Sequence, residues 1–481
     1  MPHGFRLAPD RPPAVGLRGM VASSQGLATR AGLRMLERGG NAMDAALAAA
    51  AMLTVTEPMS TGIGGDVFAI VWRDGEIAGL DGAGPAPRVV ADPTRIAETG
   101  PESVDVPGAP RGWGALAARF GRLGLDACLA DAIDAAEHGF ALGAHAARYW
   151  SEDSCPPEWR PAPGLGARVR FPDMGRTLRA IAQDGPDVMY RGPIAEAIAG
   201  ASWLSEDDLA AYEPRWVEPL GVDYRGLRVL ELPPPTQGIA ALEGLGLLDQ
   251  LGDGGVVERV QAVRLALEDA FRHVRDGADV GSLLEPERLR ARSREAAGLA
   301  SEPAGGTVYL CAVDEDRMAV SLIQSLYYGF GSGVLVPGTG VVLNNRAACF
   351  SVSGAVEPGR RPYHTIIPGM LTEPGGGLVG PFGVMGGFIQ AQAHVQFVVA
   401  ALEGGMDPQA GLDHPRFRAD GELLHLEPGL WDEAERLRAT GLKPVLSDDV
   451  SGFGGGQAIF RRGDGLVGGS DARKDGYAGG L

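Results

Sequence analysis

Hydrophobic residues recur with helical spacing through much of the first 275 positions. Gly26 to Leu36 and Ala42 to Leu53 form two helical segments, and the second is almost wholly apolar apart from Asp44. A carboxylate in the first turn complements the helix dipole, and a helix apolar on all sides is expected to be buried. Further helical spacing follows between residues 115 and 274, where Ser205 and Asp208 resemble an N-cap pair.

Strand patterns follow the first two helical segments. Val67 to Trp72 and Glu76 to Leu80 flank the tight turn Asp74-Gly75, directly after the glycine-rich run Thr61 to Asp66. A phosphate-binding loop should open a helix, whereas this run opens a strand. We therefore interpret the run as a turn whose glycines let backbone segments approach closely.

The pattern changes after residue 306, where apolar runs of strand length replace helical spacing. Strands are predicted from Thr307 to Val313, Met318 to Ser325 and Leu378 to Met385, followed by a helix from Gln390 to Gly404. The preceding segment, Arg275 to Gly306, is first charged and then rich in small residues, which marks an internal boundary. The whole predicts sheets between helical layers.

Thr307 stands at this change of pattern, directly after Gly305 and Gly306. If the Gly306–Thr307 bond were cut, Thr307 would carry its nucleophile and its base together. Its side-chain oxygen would attack while the free α-amine, with a reference pKa of roughly 8, accepts the proton. The local pattern equally fits an ordinary strand that starts after a glycine turn. The choice between these two interpretations therefore depends on motifs elsewhere in the chain.

Composition and charge exclude several classes of function. The net charge of -18, with scattered arginines, argues against nucleic-acid binding, which needs a concentrated basic surface. Four widely spaced cysteines fit reduced thiols, and no histidine pattern suits a metal, so we predict no metal and no cofactor. Met1 to Met20 has no signal-like apolar run and no later run reaches about 18 residues, so we expect a cytoplasmic protein without a membrane span.

Several spaced motifs together resemble the γ-glutamyltranspeptidase family, from about residue 20 to the end. In chain order they are Gly39-Gly40-Asn41-Ala42-Met43-Asp44-Ala45-Ala46, the Gly62 to Gly65 turn, Asp105-Val106-Pro107-Gly108, Gly306-Thr307 with Asp314 behind it, Phe330-Gly331-Ser332-Gly333, Leu343-Asn344-Asn345, Arg361-Pro362 and Met385-Gly386-Gly387. The resemblance implies an α/β (α+β) protein with the four-layer αββα sandwich of the N-terminal nucleophile hydrolases. It also implies a proenzyme that cuts itself into a large part, 1–306, and a small part, 307–481, interlocked as one globular unit.

The resemblance assigns the catalytic roles. Thr307 is the nucleophile, the Gly306–Thr307 bond is the cleavage site, and Ser325 is the hydroxyl that supports the nucleophile. The backbone N–H groups of Gly386 and Gly387 hold the oxyanion, where each such donor typically lowers the barrier by about 3 kcal/mol. Ser325 also fits an ordinary strand serine.

Five further residues are predicted to bind substrate: Tyr327, Asn345, Arg346, His364 and Thr365. Asn345 equally fits a turn-stabilising asparagine, His364 a packing residue and Arg346 a surface arginine. Arg346 otherwise offers a bidentate contact to a carboxylate.

Two departures from the glutathione-cleaving members bear on the substrate. Ala83 stands where they carry an arginine for the α-carboxylate, and Cys349 where they carry an aspartate for the α-ammonium. Burying a zwitterionic γ-glutamyl head without these partners costs several kcal/mol. The runs Ser325 to Gly333 and Arg361 to Gly369 are more similar to the branch with oxamate amidohydrolase and glutaryl-type cephalosporin acylases.

We therefore predict an autoprocessed amidohydrolase that hydrolyses a small carboxylated amide through an acyl-enzyme on Thr307. The alternatives are a true γ-glutamyltransferase or glutathione hydrolase with a rearranged pocket, and a catalytically silent homologue that binds such ligands. The expected partners are the small-molecule amide and the two fragments themselves, with a homodimer of these as a further option, and neither nucleic acid nor membrane.

Overall fold

Two seven-stranded antiparallel sheets lie face to face in the computed structural model, which describes residues 11–151, 153–252, 255–298 and 305–481. The first sheet has the order β21-β2-β10-β11-β3-β4-β7: Tyr477–Gly480, Met20–Ser23, Gly306–Val313, Ala319–Tyr327, Asp66–Arg73, Glu76–Gly82 and Arg215–Val217. The second has the order β1-β20-β19-β15-β14-β9-β8: Ala14–Gly16, Gly465–Ser470, Gly455–Arg462, Leu378–Met385, Gly369–Thr372, Leu227–Glu231 and Leu220–Tyr224.

Three small sheets lie outside this pair. They are formed by β5 and β6 (Phe140–Ala141, Arg168–Val169), by β12 and β13 (Leu335–Val336, Val341–Val342), and by β16, β17 and β18 (Phe417–Asp420, Leu423–Leu426, Lys443–Leu446).

Helices cover the outer face of each large sheet. In chain order the described α-helices α1 to α14 are Gly26–Glu37, Ala42–Thr56, Ala109–Phe120, Leu125–His138, Ala144–Tyr149, Pro172–Asp184, Pro193–Ala201, Glu206–Ala210, Gly238–Leu251, Val256–His273, Pro286–Arg292, Ile389–Leu402, Pro408–Asp413 and Ala434–Arg438. Helix α2 packs on β10 and β11 of the first sheet, while α9 and α12 pack on the second. The result is the predicted four-layer αββα sandwich.

The main sequence predictions of secondary structure are confirmed. Helix α2 is buried along its whole length, and Asn41 and Asp44 form a capping box at its N-terminus. Ser205 and Asp208 form a second capping box at α8. Sequence reasoning missed the short strands β2 and β21, because four residues give too little periodicity to detect. The end of the predicted loose segment, residues 299–304, and residues 1–10 lie outside the described residues.

Both large sheets contain strands from before and after residue 306, hydrogen-bonded side by side. In the first sheet β2 pairs with β10, and β11 pairs with β3. In the second, β14 pairs with β9, and β1 pairs with β20. The two parts of the chain therefore share one hydrogen-bonded framework.

Asn344 joins three of the sequence motifs. Its Nδ2 donates to Gly64 O and to Asp105 O, both at 2.9 Å, and its Oδ1 accepts from the backbone N–H of Asp105 and of Arg346. One fully buried side chain thus fixes the glycine turn, the Asp105 to Gly108 run and the Asn344-Asn345 turn against each other.

The glycine turn permits close backbone contact, as predicted. A Cβ at Gly64 would lie 2.1 Å from Val342 O, and one at Gly65 would lie 2.2 Å from Ser325 O. Gly108 is equally confined, since a Cβ there would lie 1.8 Å from Gly82 O. Only glycine fits at these positions without moving a neighbouring backbone.

We expect Gly108→Ala to lower the free energy of unfolding by about 1–3 kcal/mol, because the added methyl group overpacks against a backbone carbonyl. Gly200→Ala is the matched control: Gly200 is exposed in α7, and no atom lies within 4 Å of the place that its added methyl group would take. That substitution should stabilise by about 0.5–1 kcal/mol through helix propensity. Urea unfolding midpoints measure both, and equal midpoints would contradict the close approach at Gly108.

Candidate active site

Thr307 lies at the start of β10, in the middle of the first sheet, and its side chain is buried. The pairing of β10 with β11 shifts here, because Gly306 faces Tyr327 whereas Val308 faces Gln324. Thr307 is thus opposed by two residues of β11, which is a β-bulge. Bulges redirect a side chain locally and are common beside active sites.

The Thr307 hydroxyl lies against the peptide bond that precedes it. Its Oγ1 lies 2.7 Å from Gly306 O and 3.3 Å from Ser325 Oγ. Ser325 Oγ donates to the same carbonyl at 2.7 Å and accepts from the Tyr327 N–H at 2.8 Å. The predicted nucleophile, its supporting hydroxyl and the predicted scissile bond therefore occupy one hydrogen-bonded group.

Gln390 adds a contact to Thr307 that sequence reasoning missed. Its Nε2 lies 3.4 Å from Thr307 Oγ1, and its Oε1 accepts from the Ile367 N–H at 3.1 Å. The residue lies in the first turn of α12, directly after the Gly386-Gly387 turn. In the sequence, only its position just after the Gly386-Gly387 motif could have indicated a place near Thr307.

The Gly386-Gly387 turn runs beside the segment that enters Thr307. Both glycines have positive φ, 131° and 74°, which strongly favours glycine. A Cβ at Gly305 would lie 3.3 Å from Gly387 Cα, so the two backbones are in van der Waals contact. Gln237 Nε2 donates to Gly387 O at 3.2 Å and to Thr365 O at 2.7 Å, which links this turn to the predicted substrate residues.

A cavity of about 330 Å³ opens onto Thr307. Thr307, Gly306 and Gly386 form one part of its lining, together with the aromatic residue Tyr328. The rest of the lining includes His145, Tyr149 and Lys474, none of which the sequence patterns singled out.

The predicted substrate residues gather mainly around Asp66, which is fully buried. Arg346 Nε lies 3.4 Å and His364 Nε2 3.3 Å from Asp66 Oδ2. Arg346 Nη1 also donates to Thr365 Oγ1 at 3.4 Å, and its guanidinium lies 4.7 Å from the Tyr327 ring centroid. We call these five residues the Asp66 cluster.

The structure decides the surroundings of two residues, Arg346 and Asn345, that the sequence left open. Arg346 is not a surface residue, since it is fully buried, and its Nη2 has no hydrogen-bond partner among the described residues. Asn345 does stabilise a turn, because its Oδ1 accepts from the Tyr328 N–H at 3.0 Å and its Nδ2 donates to Glu98 O at 2.6 Å. Among the predicted substrate residues, none lies in the described lining of the 330 Å³ cavity.

Ala83 and Cys349, the two departures noted in the sequence, supply neither the positive nor the negative charge expected at their positions. Cys349 is fully buried, and burial raises the pKa of its thiol, which keeps it neutral. Ala83 is buried too, and its carbonyl accepts from Arg361 Nε at 2.8 Å. Burial also raises the pKa of Asp105 well above its ordinary value, so this nearby carboxyl is a weak partner for an ammonium.

Neither a metal cluster nor a membrane-spanning helix is found within the ranges that the structure describes. No group of three or more His, Cys, Asp and Glu side chains there is placed to hold a metal ion. No helix in those ranges combines the length and the apolar character needed to cross a bilayer.

A four-layer αββα sandwich with a buried hydroxyl residue after a glycine, at the head of a central strand, defines the class of N-terminal nucleophile hydrolases. Within that class the chain belongs to the γ-glutamyltranspeptidase family, whose sequence profile matches residues 28–481. The resemblance and the fold predicted from the sequence are thereby confirmed.

Three known proteins show the relationship. The oxamate amidohydrolase proenzyme of Klebsiella pneumoniae is 34% identical, over 97% of this chain and 99% of its own. The glutathione hydrolase-like YwrD proenzyme of Bacillus subtilis is 32% identical over the same shares. The crystal structure of a cephalosporin acylase from Bacillus halodurans superposes with a TM-score of 0.91 at 39% identity, covering 100% of this chain and 99% of that one. These relatives are hydrolases, which confirms the predicted enzyme class.

We expect Arg346→Met to lower the free energy of unfolding by about 3 kcal/mol, because it leaves the buried Asp66 without its main cation. Arg438→Met is the control, since Arg438 is exposed and pairs with Glu435 one helical turn away, so its loss should cost no more than about 0.5 kcal/mol. Urea unfolding in a Thr307→Ala background compares uncut chains. Adding Asp66→Asn should recover part of the loss, and no recovery would contradict the pairing.

Proposed function

We propose that this chain is an autoprocessed amidohydrolase whose N-terminal threonine, Thr307, hydrolyses a small carboxylated amide. The observation that carries the proposal is the 2.7 Å approach of Thr307 Oγ1 to Gly306 O, with Ser325 donating to the same carbonyl. An ordinary strand start needs neither the bulge nor a second hydroxyl on that carbonyl.

Self-cleavage would begin with attack of Thr307 Oγ on the carbonyl carbon of Gly306. The hydroxyl proton passes to the departing nitrogen as the Gly306–Thr307 C–N bond breaks, which leaves an ester to Oγ and a free α-amine on Thr307. Water then hydrolyses the ester, giving a carboxylate on Gly306 and restoring the Thr307 hydroxyl. Ser325 supports the first step, because its donated hydrogen bond polarises the carbonyl under attack.

Turnover would repeat the same chemistry on a substrate amide. The α-amine of Thr307 accepts the hydroxyl proton as Oγ attacks, and this proton then goes to the leaving amine as the substrate C–N bond breaks. Water attacks the resulting acyl ester and releases the acid. In this proposal the backbone N–H groups of Gly386 and Gly387 stabilise the oxyanion, and the contact between Gly387 and Gly305 supports their place beside the reacting carbonyl.

The two products of the cut, 1–306 and 307–481, would remain associated. Both sheets contain strands from each part, so separating the two parts would break the hydrogen bonds between β2 and β10 and between β11 and β3. Pairing of two such assemblies into a homodimer stays a prediction. We also keep the cytoplasm as the proposed compartment, which suits four buried cysteines that form no disulfide.

Two considerations support an acyl group that bears a carboxylate but no amino group. Relatives that match nearly the whole chain are named oxamate amidohydrolase and cephalosporin acylase. Ala83 and Cys349 offer no charge to a γ-glutamyl head, and the pKa of Cys349 is raised by burial. The substrate-binding role of Asn345 and the Asp66 cluster stays a prediction, and its main support is that Arg346 Nη2 has no hydrogen-bond partner in the described ranges.

A true γ-glutamyl hydrolase remains the second candidate, because a glutathione hydrolase-like proenzyme is 32% identical. It would need a counter-charge for the α-ammonium. Asp66 is the carboxylate of the Asp66 cluster, but Arg346 and His364 already lie within ion-pair distance of it.

We expect the wild-type protein to separate into fragments 1–306 and 307–481 in denaturing mass spectrometry. Thr307→Ala should remain one uncut chain, and Ser325→Ala should cut about 10- to 100-fold more slowly, since it loses one hydrogen bond to the attacked carbonyl. Cleavage is followed as uncut mass against time after purification. An uncut wild-type chain after prolonged incubation would contradict the nucleophile and favour the silent homologue.

We expect glutaryl p-nitroanilide to be hydrolysed with a kcat/KM about 100-fold above that of γ-glutamyl p-nitroanilide. The two differ only in the α-ammonium, and leaving that charge unpaired on binding costs about 3 kcal/mol, which corresponds to this factor. Release of p-nitroaniline measures both rates, and oxamate is tested beside them by ammonia release. Preference for the γ-glutamyl compound would support the second candidate instead.

A further inference from the structure

Lys474 is the one formally charged residue among the described residues that line the cavity at Thr307, with the neighbouring His145 neutral. The chain has only two lysines among its 43 lysine and arginine residues. The other, Lys443, is exposed and pairs with Glu422. Lysine is therefore rare in this protein, and one of its two lysines lines the cavity at Thr307.

The surroundings of Lys474 hold its ammonium group without neutralising it. Lys474 Nζ donates to His145 Nε2 at 2.9 Å and lies 5.5 Å from the ring centroid of Tyr149. Burial and the adjacent cation lower the pKa of His145 to about 2, so its Nε2 is an acceptor. An imidazole and an aromatic face orient an ammonium, yet neither supplies a negative charge.

The stem of Lys474 crosses Gly455 in β19. A Cβ at Gly455 would lie 2.5 Å from the Cγ and 2.6 Å from the Cε of Lys474. Any larger residue there would push the stem aside. The glycine thus fixes the path by which the lysine reaches the cavity.

The carboxylates near Lys474 are engaged elsewhere or weakened. No Asp or Glu oxygen in the described ranges lies within 4.0 Å of its Nζ. Asp471 pairs with Arg416 at 2.6 Å and with Arg473 at 3.0 Å. Asp475 accepts from the backbone N–H of His145 at 2.7 Å.

Glu57 is the remaining acidic neighbour. Burial raises the pKa of its carboxyl to about 7, although Lys474 pulls that value down. Neither of its carboxyl oxygens has a hydrogen-bond partner among the described residues, so Glu57 makes no direct contact with the ammonium group. Burial also lowers the pKa of Lys474 itself, which a bound carboxylate would reverse.

We propose that Lys474 binds the carboxylate of the acyl group while Thr307 attacks the amide carbonyl of the same substrate. An ammonium with two donors unused among the described residues, in a cavity whose described lining has no competing carboxylate, is a fitting partner for an anionic group. The inference rests on the proposed function and names the residue that selects its substrate class. It assigns the carboxylate of the acyl group to Lys474, which lines the cavity at Thr307, and not to Arg346, which lies outside the described lining of that cavity.

The test compares two anilides of equal chain length, glutaryl p-nitroanilide and its neutral counterpart pentanoyl p-nitroanilide. We expect Lys474→Met to lower kcat/KM for the glutaryl compound by about 10- to 100-fold, mainly through KM, the range lost with one charged hydrogen bond. Its rate on the pentanoyl compound should stay within about threefold. Lys474→Arg should retain part of the preference, and Lys443→Met, which changes the other lysine, should retain all of it.

Gly455→Ala provides a second variant that displaces the lysine without removing its charge. It should reduce the glutaryl preference in the same direction as Lys474→Met. Mass spectrometry first confirms that every variant is cut before Thr307, so that a folding or processing defect is not mistaken for lost recognition.

Three outcomes would overturn the inference. Lys474→Met could slow both anilides equally, or Glu57→Gln could reproduce its effect, either of which would make Lys474 a structural counter-ion. If Arg346→Met alone loses the preference for the glutaryl compound, the substrate carboxylate contacts the Asp66 cluster and not Lys474.

A binding measurement distinguishes failure of this inference from failure of the proposed function. If the cut wild-type protein hydrolyses neither anilide, the proposed function fails on these substrates, and calorimetric titration with glutarate still tests Lys474. Binding by the wild type that is lost in Lys474→Met supports the carboxylate site, while equal binding or none by both proteins contradicts it.

Discussion

The site depends on the pairing of β10 with β11 and on the bulge that interrupts this pairing at Thr307. Both strands lie in the middle of the first sheet, with β2 and β3 on either side and the second sheet packed across them. Because these neighbours fix the backbone on all sides, the extra residue of β11 cannot relax, and it places Ser325 Oγ and Thr307 Oγ1 on one carbonyl. Tyr327, which ends the bulge, has a φ of 85°, an uncommon value that the surrounding packing has to maintain.

The polar groups around this bulge fall into two environments. The Asp66 cluster is closed, because Arg346 Nε and His364 Nε2 lie 3.4 Å and 3.3 Å from Asp66 Oδ2 and all three side chains are fully buried. The cavity at Thr307 is open, and Lys474 is its only formal charge among the described lining residues. Buried ion pairs gain little net stability but hold their members in place, so the closed group is suited to positioning and the open one to recognition.

The interleaved strands would keep the fold together after the proposed self-cleavage. A cut between Gly306 and Thr307 frees a strand end inside the sheet, yet hydrogen bonds on both sides of β10 keep that end in position. The new α-amine would therefore form where the hydroxyl already lies. Under the proposed function, one constellation of groups would serve first for processing and then for turnover.

The sequence by itself determined that sheets lie between helical layers, because long apolar helices and strands have strong periodicity and the capping residues of α2 and α8 are local signals, while the αββα sandwich followed from the family resemblance. Through the family resemblance it also predicted roles for Thr307, Ser325 and the Gly386-Gly387 turn, since each belongs to a motif that the resemblance matches. It could not decide whether Arg346 was exposed, because burial depends on Asp66, which lies 280 positions earlier. Nor could it find Gln237, Gln390 or Lys474, whose relation to Thr307 exists only after helices and strands from both parts of the chain have packed together. Contacts between residues far apart in sequence leave no local pattern. Only the tertiary structure therefore decided which charged side chains line the cavity at Thr307.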